Sequence, residues 1–211
     1  MTMKETRRSA LALAVLTLLS EEPMHPYRMQ QLIKQRHKEA VINVRLRSSL
    51  YQTIDRLERA GLIAVQETEK AENRPERTIY RLTTDGASTA RQWLREMLAH
   101  PVNEFPEFPA ALSFIPLLPP HEVLALLTSR SEALETEIAE IDRKLATVSF
   151  WLPRLFSLEV DYQRTMMATE QRWLRGVIAE LESGELHWDE AWLREHAEPP
   201  EEVMRALERL S

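Results

Sequence analysis

The stretch RSSLYQTIDRLERAGLIAVQ, residues 47–66, decides how the first half of this sequence folds. Its leucines and first isoleucine recur at helical spacing, and Gly61 stands where a helix commonly ends in a left-handed residue. The end of the stretch and a second run at 77–82 are rich in β-formers, and a polar segment separates them. The pattern predicts a helix over about 48–60, followed by a two-stranded hairpin.

Two helices are predicted before this stretch and one after it. An apolar stripe beginning at Leu11 predicts the first, which Pro23 ends because proline cannot continue the hydrogen-bond ladder. Pro26 suits the first turn of the second, where its missing N–H costs nothing. Thr83 is placed to cap the fourth. Three helices, a hairpin and a further helix form the order of a winged helix-turn-helix domain, which we assign to residues 1–99.

A proline-rich junction, residues 100–120, separates this domain from a helical second half. It contains six prolines, and because proline removes a backbone donor, we expect no regular helix there. Residues 121–211 predict two long helices separated by Pro153, and then short closing helices. The chain is therefore predicted to be mainly α-helical, with an N-terminal winged helix-turn-helix domain and an α-helical C-terminal dimerisation domain.

The first long helix carries apolar residues at near-heptad spacing, which is typical of helix pairing. The partner is a second copy of the chain or the second long helix of the same chain, and the two are compatible. The dimerisation residues predicted from this seam are Val123, Leu127, Leu134, Ile138, Ile141, Leu145 and Val148. In the second long helix we expect an inward face of Leu155, Leu158, Tyr162, Met166, Trp173, Val177 and Leu181.

Composition excludes several function classes. The absence of cysteine excludes disulfides, thiol nucleophiles and cysteine-based metal sites. The six histidines lack metal-ligand spacing, and no phosphate-binding glycine loop or nucleophile elbow occurs. We therefore expect no enzyme activity, catalytic residue, cofactor or metal. The longest apolar run, residues 10–19, is too short to cross a bilayer, so we expect a cytoplasmic protein without a membrane segment.

Charge is divided unevenly between the two halves. Residues 1–100 hold 17 Lys and Arg against 12 Asp and Glu, a balance of +5, whereas residues 101–211 hold 10 against 21, a balance of −11. This asymmetry indicates that only the first half meets a polyanion, such as double-stranded DNA. An ordinary solvated surface would also explain a balance of +5.

The third predicted helix has a polar outer face of the kind that reads base edges and phosphates. Its candidate DNA-binding residues are Arg47, Ser48, Ser49, Tyr51, Gln52 and Arg56. The hairpin adds cations suited to phosphates or a minor groove, namely Lys70, Arg74, Arg77 and Arg81. Four glutamates are interleaved with these cations, which leaves an alternative open: a winged-helix sensor or adaptor that contacts a protein partner instead of DNA.

Short motifs in this region resemble the PadR-like family of bacterial transcriptional regulators. They occur in order over roughly residues 8–98 as LTLLS (16–20), PMH (23–25) followed by Tyr27, SLY (49–51), RL (56–57), GLI (61–63) and YRLT (80–83) followed by Gly86. Two departures are visible. Pro26 replaces the family's usual glycine, and the wing tip is less basic and contains no glycine.

The resemblance implies a homodimer that binds an operator, predicted here to be pseudo-palindromic, and represses transcription. It also adds Tyr27 to the DNA-contacting residues. It further implies a small aromatic effector, bound near the domain junction, that releases the operator. Aromatic residues that could line such a pocket are Trp93, Phe105, Phe108, Phe114, Trp151 and Trp173. The alternative for these six is ordinary packing in the core and the dimer interface.

Overall fold

The structure is a computed structural model, and it describes residues 8–38, 41–42, 47–69, 77–102 and 104–196, with the backbone alone for residues 47, 68, 69 and 77. The chain forms two compact units, Met1–Asn103 and Glu104–Ser211. Most of the predicted junction therefore belongs to the second unit. In the described part of the chain, no helix is both long enough and apolar enough to cross a membrane.

The first unit begins with α1 (Ala10–Glu21), α2 (Pro26–Gln35) and α3 (Arg47–Arg59). Pro26 is the first residue of α2, as predicted, where no helical hydrogen bond is lost. His25 caps this helix, because its Nδ1 accepts a hydrogen bond from the backbone N–H of Arg28 at 3.1 Å. The three helices thus begin close to where the sequence places them.

A two-stranded antiparallel hairpin, β1 (Ile63–Glu69) and β2 (Arg77–Leu82), follows α3. β1 extends beyond the predicted run because backbone pairing continues through its polar end, after a register shift between Val65 and Glu67. Tyr80 exchanges two backbone hydrogen bonds with Met24, each 3.1 Å. The hairpin is thereby joined to the segment between α1 and α2.

The last helix of the first unit, α4 (Thr84–Ala99), begins at a close approach of two backbone segments. The Thr83 hydroxyl accepts a hydrogen bond from the Gly86 N–H at 3.0 Å and lies 2.9 Å from the Leu62 carbonyl oxygen. A Cβ atom on Gly86 would stand 1.9 Å from that carbonyl oxygen. Only glycine therefore fits at this position.

A single core holds the first unit together. The residues of α3 predicted to face inward, Leu50, Ile54 and Leu57, are at most 2% exposed, which confirms the predicted inner face. Among the described residues, the buried hydrophobic residues of this core are Ala12, Val15, Leu16, Leu18, Leu19, Met24, Met29, Leu32, Ile33, Leu50, Ile54, Leu57, Leu62, Ile63 and Trp93.

The second unit contains a helix within the proline-rich segment, so the prediction of no regular helix there is wrong. This helix is α5 (Glu107–Leu112), and the 29-residue α6 (Pro120–Val148) follows it after a 3₁₀ turn. Pro106 caps α5 and Pro109 lies in its first turn, while Pro120 opens α6. Prolines at helix starts remove no helical hydrogen bond, so their number does not prevent helices from forming.

α6 and α7 (Leu158–Ser183) form an antiparallel helical hairpin, and α8 (Glu190–Glu195) follows. Three ion pairs join the long helices: Arg130–Glu170, Glu135–Arg175 and Asp142–Arg164. The core beneath them contains four buried hydrophobic residues, Val123, Leu127, Leu174 and Trp188. Phe108, Ile115 and Leu118, from the proline-rich segment, pack against this core.

The predicted seam of α6 packs, in part, within its own chain. Val123, Leu127 and Leu134 belong to the core shared with α7, which is the intrachain alternative stated above. The rest of the seam, namely Ile138, Ile141, Leu145 and Val148, is half-buried. Pairing of these residues with a second copy stays a prediction.

The predicted inward face of α7 is wrong for most of its members. Val177 and Leu181 do pack in the core. The predicted inward residues that come earlier in the helix are each at least 47% exposed. Leu155, in the preceding turn, is also exposed. We define the α7 outer stripe as the apolar residues on this exposed flank of the helix: Leu158, Tyr162, Met166 and Trp173. The spacing of apolar residues indicates that the helix has a wide apolar surface. It does not indicate which part of that surface packs against the same chain.

Candidate nucleic-acid interface

The exposed side of α3 differs between its two ends. Ser48, Tyr51 and Gln52 are exposed in the N-terminal half. In the C-terminal half Asp55, Glu58 and Arg59 are exposed, so carboxylates outnumber the cation there. Carboxylates repel phosphates, so the N-terminal half is the part suited to a groove of DNA. Recognition helices that lie in the major groove likewise contact base edges with their N-terminal residues. We call Ser48, Tyr51 and Gln52 the α3 polar face.

Arg56 lies at the edge of the α3 polar face, one helical turn after Gln52. Its side chain is half-buried, with Nη2 3.5 Å from the Ser9 hydroxyl at the start of α1. Its Nε atom is buried and has no hydrogen-bond partner among the described residues. Successive residues of a helix are rotated by about 100°, which puts Arg56 and Ser49 on the flank beside Gln52 and Tyr51 on the opposite flank. Arg56 and Ser49 are both half-buried, and DNA contact by them stays a prediction.

A shallow groove runs between α2 and α3 beside the α3 polar face. Its lining consists of Pro26, Tyr27, Gln30, Leu50 and Tyr51. Each of the two tyrosines is 51% exposed, and the His25 ring stacks on Tyr27 with centroids 6.1 Å apart. Gln30 was not predicted as a site residue. The signal that could have found it is its position three residues after Tyr27, on the same side of α2.

Only one of the cations predicted on the hairpin has a side chain among the described residues. The Arg81 side chain is exposed on β2, opposite Ala64 of β1. Lys70 and Arg74 lie outside the described residues, and the side chains of Arg77 and Arg47 are likewise not described. DNA contact by these residues stays a prediction.

Tyr80 connects the acidic end of α3 to the hairpin. Burial raises the pKa of Tyr80, and the nearby carboxylates of Glu58 and Asp55 raise it further. The Tyr80 hydroxyl therefore gives up its proton less readily than that of an exposed tyrosine.

The six aromatic residues predicted to line a ligand pocket do not form one cluster within either unit. Trp93 is 8% exposed in the core of the first unit. Phe108 and Trp173 meet edge to face with centroids 6.1 Å apart in the second, where Arg130 lies 3.8 Å above the Phe108 ring. The other three, Phe105, Phe114 and Trp151, are 62–89% exposed. Ordinary core packing therefore describes Trp93.

Comparison with known proteins identifies the family. Residues 15–92 match the model of the transcriptional regulator PadR-like family, and this range covers the second half of α1, all of α2 and α3, the hairpin and the first half of α4. These residues, less than half of the chain, therefore form a PadR-like domain. The match indicates a DNA-binding transcriptional regulator, from a family that is not one of enzymes. No curated protein matches the sequence.

Solved structures share the fold over most of the chain. Bacillus subtilis PadR in complex with operator DNA has a TM-score of 0.64 at 20% identity, over 82% of this chain and 99% of that chain. The same protein in complex with p-coumaric acid has a TM-score of 0.63 at 19% identity, with the same coverage. The Vibrio cholerae virulence activator AphA has a TM-score of 0.63 at 19% identity, again over 82% and 99% of the two chains. At these identities the comparison shows a shared fold.

Proposed function

We propose that the chain is a homodimeric repressor that binds a pseudo-palindromic operator in double-stranded DNA. The α3 polar face carries this proposal, because it is exposed, uncharged and rich in hydrogen-bonding groups that can pair with base edges. In a two-fold dimer, two such helices would enter successive major grooves about 34 Å apart. The structure of Bacillus subtilis PadR with operator DNA, a protein of the same fold, supports the proposal.

The exposed apolar surface of the second unit supports the homodimer. The α7 outer stripe lies along one flank of a helix, and Phe150, Trp151 and Phe156 are at least 62% exposed in the turn before it. Soluble monomers rarely leave large continuous apolar surfaces in water. A second copy of the chain is the partner we propose for this surface.

Repression and release by an aromatic effector are the finer parts of the proposal. The p-coumaric acid complex of Bacillus subtilis PadR supports an effector of that class. AphA, of the same fold, is a virulence activator, so the sign of regulation is tested with a reporter gene downstream of the bound sequence. Higher expression on deletion of the regulator supports repression, and lower expression contradicts it. A cytoplasmic location is part of the same proposal.

Specific DNA binding is tested first by selection and then by a matched pair of variants. Duplexes selected from a random library at moderate salt should share an inverted repeat. Gln52→Ala should weaken binding to the selected duplex by about 5- to 150-fold, because a bidentate side-chain contact to a base is worth about 1–3 kcal/mol. Gln92→Ala is the control, since Gln92 is also an exposed helical glutamine but pairs with Glu96 on α4. Equal effects of the two substitutions would contradict the role of the α3 polar face.

The salt dependence of affinity separates DNA binding from the alternative of a protein partner. Phosphate contacts release counterions, so the affinity for the selected duplex should fall steeply between about 50 and 200 mM salt. A flat dependence, together with no preferred sequence in the selection, would favour a winged domain that contacts a protein.

A further inference from the structure

The groove between α2 and α3 has an apolar character that a phosphate contact does not explain. The Leu50 side chain, 2% exposed, and the buried Pro26 ring form its floor, and the rings of Tyr27 and Tyr51 form its walls. None of the five described side chains that line it is charged at neutral pH. A phosphate oxygen would lose water there without gaining a cation.

The groove is also too small for a separate small-molecule ligand. Its cavity volume is about 30 Å³. Pockets that bury a drug-sized molecule usually measure about 300–1,000 Å³. A single methyl group at the edge of a base, in contrast, fits a shallow apolar depression of this kind.

We infer that this groove receives the 5-methyl group of a thymine in the major groove of the operator, and that Tyr27 and Tyr51 are specificity-determining residues. The groove is continuous with the α3 polar face, since Tyr51 belongs to both. The thymine methyl is the one apolar group that a base pair displays in the major groove, and apolar side chains read it by contact. This inference rests on the proposed binding of a specific operator.

The size of the expected effect follows from the area of one methyl group. Burial of one carbon of this kind contributes about 0.8 kcal/mol, which corresponds to a change of about fourfold in affinity. Replacement of the relevant thymine by deoxyuridine, which lacks only the methyl group, should weaken binding by that factor in one half-site. Replacement in both half-sites should weaken it by about 15-fold.

The experiment compares thymine and deoxyuridine at each position of a fluorescein-labelled duplex recovered from the selection. Affinities are measured by anisotropy with the full-length wild-type protein and with Tyr51→Phe, Tyr51→Ala and Tyr27→Ala. The wild type and Tyr51→Phe, which keeps the ring, should lose about fourfold at one thymine per half-site. The two alanine variants should bind more weakly overall and distinguish thymine from deoxyuridine by less than twofold at that position.

Three outcomes would overturn the inference while leaving the proposed function intact. One is a selected half-site that contains no thymine. Another is a change of less than twofold at every thymine. The third is a methyl effect that persists unchanged in both alanine variants, which would place the contact elsewhere on the protein. A selection that yields no preferred sequence would overturn the proposed function as well, so the two failures are distinguishable.

Discussion

The two units differ in how completely each buries its own apolar residues. In the described part of the first unit, one core contains fifteen buried hydrophobic residues drawn from all four helices and the hairpin. The core of the second unit contains four among its described residues, 104–196, although the two units are of similar length. The reason is geometric: a pair of long helices covers one flank of each and leaves the others to solvent. The first unit is thus closed on itself, and the second is open along the α7 outer stripe.

This comparison indicates where each unit is vulnerable. A closed core is disrupted by a steric conflict inside one chain, because all of its helices and strands pack against the same buried residues. If a second chain covers an open apolar surface, their association is disrupted by a charge that would be buried there without a partner. The first unit also has a small open patch, since Leu94, Met97 and Leu98 are exposed on α4. The division between closed and open is therefore one of degree.

The largest expected effect is that of Gly86→Ala in the first unit. The added Cβ would stand 1.9 Å from the Leu62 carbonyl oxygen and 2.8 Å from Leu82 Cδ1. Because a backbone oxygen cannot move aside as a flexible side chain can, we expect a loss of about 4 kcal/mol or more in the free energy of unfolding. Hydrogen exchange should show that amides of the first unit lose protection while those of the second keep theirs.

Gly176→Ala is the matched control in the second unit. Gly176 is an interior residue of α7, and a Cβ there meets nothing within 4 Å among the described residues outside the backbone of its own helix. Alanine is the better helix former, so this variant should be more stable by about 0.5–1 kcal/mol. A Gly86→Ala protein with unchanged denaturation would contradict the close approach of α4 to Leu62. A destabilised Gly176→Ala protein would indicate that a second copy packs directly over Gly176.

The next effect in size is that of Met166→Asp, which places a charge in the middle of the α7 outer stripe. Met166 is 52% exposed in the single chain, so the aspartate should leave the fold of the unit intact. If a second copy covers the stripe, an unpaired charge buried there costs about 3 kcal/mol and weakens dimerisation about 100-fold. Sedimentation equilibrium should shift from about twice the chain mass of 24.6 kDa towards that mass.

Leu126→Asp serves as the control for this substitution. Leu126 is 54% exposed on α6, outside the stripe, and its replacement should leave the mass in solution unchanged. A Met166→Asp protein that stays dimeric at micromolar concentration would place the dimer contact on another surface, and the open flank of α7 would then need a different occupant.

The same division explains how much of the fold could be predicted from the sequence. In the first unit, the inner face of α3 and the start of α2 at Pro26 were predicted correctly, because local spacing and capping chemistry determine both. The apolar residues of α7 were recognised, but which of them face the core and which face solvent was not predicted correctly. Tyr162 and Leu181 look alike in a periodic pattern, and only the packing of α6 decides that Leu181 is covered.

The candidate site was predicted to a similar extent. Tyr51 and Gln52 follow directly from the polar face of a helix whose apolar face is buried. Arg56 was assigned to the same face because its charge suits DNA, yet its position on the flank near Ser9 depends on how α1 packs against α3. The groove residue Gln30 was missed because the relation between α2 and α3 is a tertiary one. Prolines 106, 109 and 120 misled because each lies at or just before the first turn of a helix, where its missing N–H breaks no hydrogen bond.

The smallest expected effect concerns two surface ion pairs, one in each unit. In the first unit, both terminal nitrogens of Arg36 donate to Glu21 at 2.6 Å, and these hydrogen bonds hold the pKa of Glu21 below its usual value. The side chains are 43% exposed, so solvent screening limits the contribution to about 1 kcal/mol or less. In the second unit, Arg164 likewise lowers the pKa of Asp142 by hydrogen bonding.

The sign of the pH dependence follows from the direction of these pKa shifts. A carboxyl group with a lowered pKa in the folded protein stabilises the fold above its unfolded pKa, about 4.3 for Glu, and this contribution is lost as the pH falls through the folded pKa. Glu21→Gln should therefore lower the stability of the first unit at pH 7 by a few tenths of a kcal/mol and make no difference near pH 2. Asp142→Asn should act only on the second unit, with the same direction. If either substitution altered both units equally in hydrogen exchange, the two would unfold as one cooperative body, and the contrast between a closed unit and an open one would lose its thermodynamic meaning.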